Sequence, residues 1–123
     1  MPLKEETIDM RHEIKKVCKI VDELTTLFLK EDTNEIDFKI ITEKERSVIR
    51  IIDYNTHFDP EYIEHLCAMF NRQRQSEIEE YYWQLAGEAD EDDELTLISA
   101  MIDSAKAEVR GGNLYMELIR LNR

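Results

Sequence analysis

The first thirty residues carry a helical pattern of apolar positions. Between Thr7 and Lys30 apolar residues recur at spacings of three and four, which places them on one face of a helix. Ile20 and Leu27 flank this stripe and make it broad enough to lie against a sheet. The pattern predicts a long helix, with Thr7 or Asp9 as its N-cap. Its predicted buried stripe consists of Ile14, Val17, Cys18, Val21, Leu24, Thr25 and Phe28.

Two segments with the pattern of β-strands follow this helix. Ile36, Phe38 and Ile40 alternate with charged residues, which indicates a strand over residues 35–42 with one buried face. The β-branched run at 48–52 is continuous, as is typical of a more central strand, and predicts a strand over 47–53. A polar turn joins the two segments, so we predict an antiparallel hairpin.

Three shorter helices and a second hairpin complete the pattern. Asp59 caps the first of these helices and Pro60 opens it, with Ile63, Leu66, Cys67 and Phe70 as its stripe. The next helix is predicted over residues 76–86, and a third starts after Asp92 or Asp93. The final strands, 105–110 and 114–121, meet at a turn with two glycines that can supply positive φ.

The order of these elements predicts the fold class. The chain of 123 residues is the size of one ordinary domain, so we predict a single domain over 1–123. The two hairpins can join into one sheet. The prediction is an α+β two-layer sandwich, with one mixed or antiparallel sheet of about four strands and the helices on one face.

Charge limits the classes of partner. The chain has 28 acidic and 16 basic residues, a net charge of −12, and such a surface repels nucleic-acid phosphates and anionic membranes. It favours basic protein partners. The first residues lack the apolar run of a signal peptide, and no stretch approaches the length of a membrane span. We therefore expect a cytoplasmic protein that binds neither nucleic acid nor membranes. Cys18 and Cys67 lack a C-x-x-C motif and are predicted to be buried, reduced thiols.

Four segments carry a resemblance to a known family. They are 22–27 (DELTTL), 51–60 (IIDYNTHFDP), 94–103 (ELTLISAMID) and 111–118 (GGNLYMEL). In this order they resemble the Bergerat-fold (GHKL-type) ATPase domains of histidine kinases, gyrase-type ATPases and, closest in size, anti-sigma-factor serine kinases. The resemblance extends from about Val17 to Leu121. It implies the same α+β sandwich and an ancestral nucleotide site.

The sequence departs from the family where the chemistry would lie. Leu27 stands in place of the Asn that binds magnesium, and leucine offers no oxygen ligand. Asn55 and His57 replace the two glycines of the nucleotide loop, where their side chains are expected to fill the pocket. Asp92 and Glu94 stand where the lid would contact phosphates, which carboxylates repel. We therefore expect no bound cofactor, no metal and no intact catalytic residue.

Two family residues survive. Asp53 matches the carboxylate that holds the adenine amino group, and Glu23 matches the general base of the hydrolysing members. Each has a simpler interpretation: Asp53 ends a strand and bonds the loop backbone, and Glu23 is a solvated helix residue. The family also has a strand and a helix that this sequence lacks room for before Val17. An open sheet edge could then be covered by a partner or by a second copy.

Other residues offer further candidate sites. Glu61 and His65 lie four apart on one helix face, and Asp53, His57 and Asp59 cluster near one loop, so a metal site is an alternative. The run of Tyr81, Tyr82 and Trp83 cannot all face the core, because neighbouring side chains on a helix diverge by about 100°. Exposed Tyr and Trp are common interface anchors. These three aromatics are therefore the protein-binding candidates, although packing of Tyr82 and Trp83 at the helix–sheet seam is an equally good explanation.

The leading interpretation is a regulatory protein-binding module, similar to an anti-sigma-factor kinase that has lost its ATP site. Its partner would be a transcription or signalling regulator in a bacterial cell, and the protein would be a pseudoenzyme. One alternative is an active ATP-binding serine kinase with divergent motifs, favoured by Glu23 and Asp53. Another is a structural or metal-binding homodimer.

Overall fold

The computed structural model describes residues 7–83 and 93–122. Helix α1 (Thr7–Lys30) leads to strands β1 (Ile36–Thr42) and β2 (Arg46–Asp53). Helices α2 (Pro60–Phe70), α3 (Ser76–Tyr82) and α4 (Asp93–Met101) precede strands β3 (Ser104–Arg110) and β4 (Asn113–Leu121). The four strands form one antiparallel sheet in the order β1-β2-β4-β3. The predicted α+β sandwich is therefore confirmed, with each predicted strand boundary within one residue of the structure.

The core lies between the sheet and the helices. One row of residues crosses the whole sheet on the helix side, from Phe38 through Ile51 and Met116 to Ala107. Ile51 and Met116 are buried, and helix residues such as Leu24 and Leu66 cover them. On the opposite face one row is charged and consists of Lys39, Arg50, Glu117 and Lys106, whereas another consists of Ile41, Val48, Ile119 and Ser104.

Local signals explain the boundaries of these elements. The Asp59 carboxylate accepts a hydrogen bond from the Tyr62 N–H at 2.8 Å, so the predicted N-cap of α2 is confirmed. Gly111 and Gly112 both have positive φ, +58° and +82°. A two-residue turn with this geometry matches the twist of the hairpin that it closes. The predicted helix at 76–86 ends at Tyr82, and residues 84–86 lie outside the described residues.

The buried face of α1 is rotated from the predicted stripe. Ile14 is 59% exposed and Cys18 is exposed, so their predicted burial is wrong. Ile20 and Leu27, predicted to flank the stripe, are buried together with the polar residues Lys16 and Glu23. The prediction failed because it counted apolar residues alone, whereas charged side chains that find partners inside the protein can also be buried. Cys67 is only partly buried, and both cysteines are free thiols.

Candidate functional site

Asp53 is the most unusual residue of the sheet. It ends β2 on the helix side, in register with Ile36 on one neighbouring strand and Leu114 on the other. Its side chain is fully buried, and neither carboxyl oxygen has a hydrogen-bond partner in the described part of the protein. The interpretation in which Asp53 bonds the loop backbone is therefore wrong. A buried polar group without a partner is costly and calls for an explanation.

The matched residues of α1 lie in the interior. Glu23 is 2% exposed, so the interpretation of Glu23 as a solvated helix residue is wrong. Leu27 belongs to the hydrophobic core beside Leu24 and Phe28. At this position the helix thus presents an apolar side chain to the core, where magnesium would require an oxygen ligand.

Hydrogen bonds anchor the loop after β2, and aromatic rings pack together at its end. The Asn55 N–H donates to Asn113 Oδ1 and the Thr56 N–H donates to the Gly112 carbonyl, both at 2.9 Å. Asn55 has φ +51°, a left-handed conformation that asparagine tolerates better than most side chains. Phe58 is buried, and its ring centroid lies 5.1 Å from those of Phe28 and Tyr62.

The loop after β2 therefore does not bury the side chains that were expected to fill a nucleotide pocket. Asn55 and His57 are exposed, which contradicts the prediction that they occupy the pocket. Phe58 is the buried side chain of this loop. Asp92 and the side chain of Glu94, predicted to repel phosphates, lie outside the described residues.

The candidate metal ligands each have a different local environment. Asp59 caps α2, His65 contacts the Tyr62 ring at a centroid distance of 6.4 Å, and His57 is exposed while Asp53 is buried. Across residues 7–83 and 93–122, no group of three or more His, Cys, Asp or Glu residues could hold a metal ion.

An ion cluster that the sequence did not reveal joins three elements. Glu79 of α3 accepts hydrogen bonds from Arg120 of β4 at 3.0 and 2.8 Å, and from Lys16 of α1 at 2.7 Å. Arg74 donates to the same carboxylate at 3.1 Å. Arg120 is 1% exposed and also donates to the carboxylate of Glu13 and to the Met101 carbonyl.

The electrostatics of this cluster favour a structural role. Burial opposes ionisation of Glu79, but the hydrogen bonds and charges of Arg120, Lys16 and Arg74 outweigh it and lower its pKa to about 2. The same bonds raise the pKa of Lys16 and of Arg120 against the effect of burial. A carboxylate with such a low pKa is a poor general base near neutral pH. Sequence patterns offered no signal, because Glu79 and Arg120 are distant in the chain and lie among many other charges.

The aromatic residues at 81–83 differ in burial. Tyr81 is 68% exposed, whereas Trp83 is 8% exposed and packs against the His12 ring at 5.9 Å and the Lys16 ammonium at 5.8 Å. The side chain of Tyr82 lies outside the described residues. A groove of about 650 Å³ runs from Trp83 along the exposed side of α1. It is lined by Arg11, His12, Lys15, Cys18, Lys19 and Asp22.

Comparison with known protein-family models, with curated proteins and with solved structures gives no match to this chain. Among the described residues, no helix is both long enough and apolar enough to cross a membrane.

Proposed function

We propose that the chain is a cytoplasmic regulatory module that binds another protein, and that its ancestral nucleotide site is closed. One observation carries this proposal: three of the positions matched to a nucleotide site are packed into the interior. Glu23, Leu27 and Asp53 are all buried, and Phe58 of the loop after β2 is buried against the ring of Phe28. A pocket closed by core side chains would have to unpack before it could admit a nucleotide. The proposed setting is bacterial transcription or signalling.

The surface around Tyr81 is the proposed binding site. Tyr81 presents a large amphipathic ring, and the neighbouring Trp83 is held against α1. The exposed Glu80, next to Tyr81 on α3, supplies charge at its rim. An aromatic anchor with a polar rim is the usual arrangement at the centre of a protein interface.

A comparison of Tyr81→Ala with Val109→Ala tests this site. Both side chains are exposed, but Val109 lies on β3. A protein captured by the wild-type chain should be titrated against both variants by calorimetry. We expect Tyr81→Ala to weaken binding by about 1–2 kcal/mol and to leave the melting temperature within a few degrees, because the ring contributes to binding rather than to the core. Val109→Ala should bind like wild type. Equal binding by all three proteins would contradict the proposal.

Nucleotide binding is the second candidate function, and Asp53 is the observation that favours it. A buried carboxyl group without a partner is what the amino group of a nucleobase would satisfy as a hydrogen-bond donor. Titration with Mg-ATP separates the two candidates. The leading proposal expects no saturable heat. A micromolar dissociation constant, corresponding to about −8 kcal/mol, that is lost in Asp53→Asn would establish the second function instead.

A further inference from the structure

The two edges of the sheet differ in how their backbone is covered. On β3 the side chain of Asn71 forms hydrogen bonds with both backbone groups of Ala105. Its Oδ1 accepts from the N–H at 2.9 Å, and its Nδ2 donates to the carbonyl at 2.7 Å. Helix α2 also packs against β3. On β1, no comparable contact covers the outer backbone within the described residues, and the strand contains neither a proline nor a bulge. An uncovered edge of this kind is a template for pairing with another strand.

The outward-facing backbone groups of β1 can be assigned. The Tyr54 N–H bonds the Glu35 carbonyl, and the Glu43 N–H bonds the Arg46 carbonyl, so odd-numbered residues face β2. Because the groups alternate along an antiparallel strand, the N–H and C=O groups of Ile36, Phe38 and Ile40 point away from the sheet.

The same edge exposes apolar side chains. Ile40 is 46% exposed, and Ile36 and Phe38 are only partly buried although they pack against the core. Helix α1 lies at this end of the helix layer, since it packs on α4 and β2 whereas α2 packs on α4 and β3. Ile14 lies about 160° around α1 from Lys16, which contacts α3, and is 59% exposed. An apolar flank therefore continues from the edge of the sheet to the helix above it.

We propose that two copies of the chain pair through their β1 edges, antiparallel and with Phe38 opposite Phe38 of the second copy. This register places Ile36 opposite Ile40 on the helix side and extends the core across the junction. On the outer face it places Asp37 opposite Lys39 twice, so the edge is complementary to itself in charge. Three pairs of residues would exchange about two backbone hydrogen bonds each, giving one eight-stranded sheet. Such a two-fold contact is closed and leaves no further β1 edge.

Neighbouring registers lack this complementarity. Moving the two-fold axis to residue 37 sets Asp37 opposite Asp37, and moving it to residue 39 sets Lys39 opposite Lys39. Like charges directly opposite each other on a sheet are destabilising. A slip of one residue puts the apolar side chains of one copy on the outer face of the other, where Asp37 and Lys39 lie. The charges of β1 therefore favour pairing with a second copy of the chain, in one register, over pairing with other extended chains.

Charge reversal tests this register. In sedimentation equilibrium the wild-type chain should form dimers in the micromolar range, about 1–300 µM. Asp37→Lys alone sets lysines opposite each other, and Lys39→Asp alone sets aspartates opposite each other. Each variant should therefore raise the dimer dissociation constant by about tenfold or more. An equimolar mixture of the two should recover dimers, because the mixed pair restores opposite charges. The double variant D37K/K39D should recover them as well.

Controls separate pairing from folding. Asp37 accepts a hydrogen bond from the Tyr54 hydroxyl at 2.6 Å, so Tyr54→Phe, which removes only that bond, should dimerise like wild type. Lys106→Asp makes the same change on β3, opposite Glu117, and should leave the dimer dissociation constant unchanged. Amide exchange of Ile36, Phe38 and Ile40 in the wild-type chain should slow as concentration rises, a readout that needs no variant. A wild-type chain that stays monomeric, single variants that dimerise normally, or a mixture that stays monomeric would each overturn the proposal.

Discussion

Arg120 and Glu79 lie side by side in the interior and share two hydrogen bonds, from Nη1 to Oε1 at 3.0 Å and from Nη2 to Oε2 at 2.8 Å. The pair joins the last strand to α3, a helix of only seven residues. Such a short helix has little stability of its own, so tertiary contacts must hold it in place. The pair therefore fixes the helix that presents Tyr81 at the surface.

Replacing Glu79 with Gln should destabilise the protein strongly. The amide keeps the size of the side chain but removes the charge that compensates Arg120, Arg74 and Lys16. Breaking a buried ion pair from one side costs about 3–5 kcal/mol, because the remaining charges stay buried. Denaturant unfolding at pH 7 measures this loss. The matched change Glu77→Gln, at an exposed position of the same helix, should have little effect. A loss below about 1 kcal/mol in Glu79→Gln would contradict a stabilising role.

The same carboxylate predicts how stability depends on pH. The pKa of Glu79 is about 2 in the folded protein and 4.5 is its ordinary value, so the folded state binds this proton less readily than the unfolded state. Its contribution is present above pH 4.5 and is lost as pH falls towards 2. The lowered pKa corresponds to roughly 3 kcal/mol. Unfolding free energies measured across this window should fall less steeply in Glu79→Gln than in wild type. Parallel curves for the two proteins would show that Glu79 titrates normally.

Asn71 should stabilise the β3 edge. Its amide satisfies the N–H and the carbonyl of Ala105, a residue that is 9% exposed. Asn71→Ala leaves both groups without that partner, and we expect a loss of about 1–3 kcal/mol in denaturant unfolding. Asn71→Asp retains the acceptor but replaces the donor with a second oxygen facing a carbonyl, so it should not rescue the loss. Gln73→Ala, a change at an exposed position nearby, is the control and should leave the stability unchanged. Wild-type stability of Asn71→Ala would show that water replaces the amide.

The sheet could be predicted from sequence because its signals are local. Alternation in Ile36, Phe38 and Ile40 and the glycines of the last turn each specify conformation over a few residues. The burial of the residues that carry the resemblance could be predicted only in part. A leucine at position 27 offers no oxygen ligand in any environment, so its consequence could be predicted. Whether Glu23 and Asp53 are buried, in contrast, depends on which side chains pack over them.

The ion cluster could not be predicted, for a related reason. Lys16, Glu79 and Arg120 come from three elements distant in the chain, and each is one charge among many. Their burial also explains the misplaced stripe of α1. Because Lys16 is buried where it binds Glu79, this polar side of the helix faces the interior. Ile14 and Cys18, on the other side, are therefore exposed.

The two cysteines should react at different rates. Cys18 is exposed, whereas Cys67 is partly buried and burial raises the pKa of its thiol. The thiolate is the reactive form, so both access and ionisation slow Cys67. In native buffer at slightly alkaline pH we expect labelling of Cys18 to be about tenfold faster or more. Cys18→Ser and Cys67→Ser assign the two phases, and denaturant should bring both to one rate. Equal native rates would contradict the orientation of α1 or α2.

Asp53 should be a site where a substitution stabilises the protein. Its carboxyl group is fully buried, and the residues in register with it on either side, Ile36 and Leu114, are apolar. Asp53→Val removes the unsatisfied oxygens and supplies a β-branched side chain suited to a strand. We expect a gain of about 1–3 kcal/mol, since an unpaired buried polar group costs that much. Asp53→Asn, which keeps the shape but removes the acidic group, should give a smaller gain.

The control for Asp53 is Asp59→Asn at the N-cap of α2. Asparagine caps helices as well as aspartate does, so this change should be neutral and shows the effect of removing one negative charge from an acidic chain. Thermal and denaturant unfolding of the four proteins, with and without Mg-ATP, distinguish the possibilities. Stabilised Asp53 variants with no response to nucleotide are expected for a closed site. Destabilised variants would show instead that the carboxyl group is bonded in solution. Stabilisation of wild type by nucleotide, absent from both Asp53 variants, would then favour the nucleotide-binding function, because a ligand that binds only the folded state raises its stability.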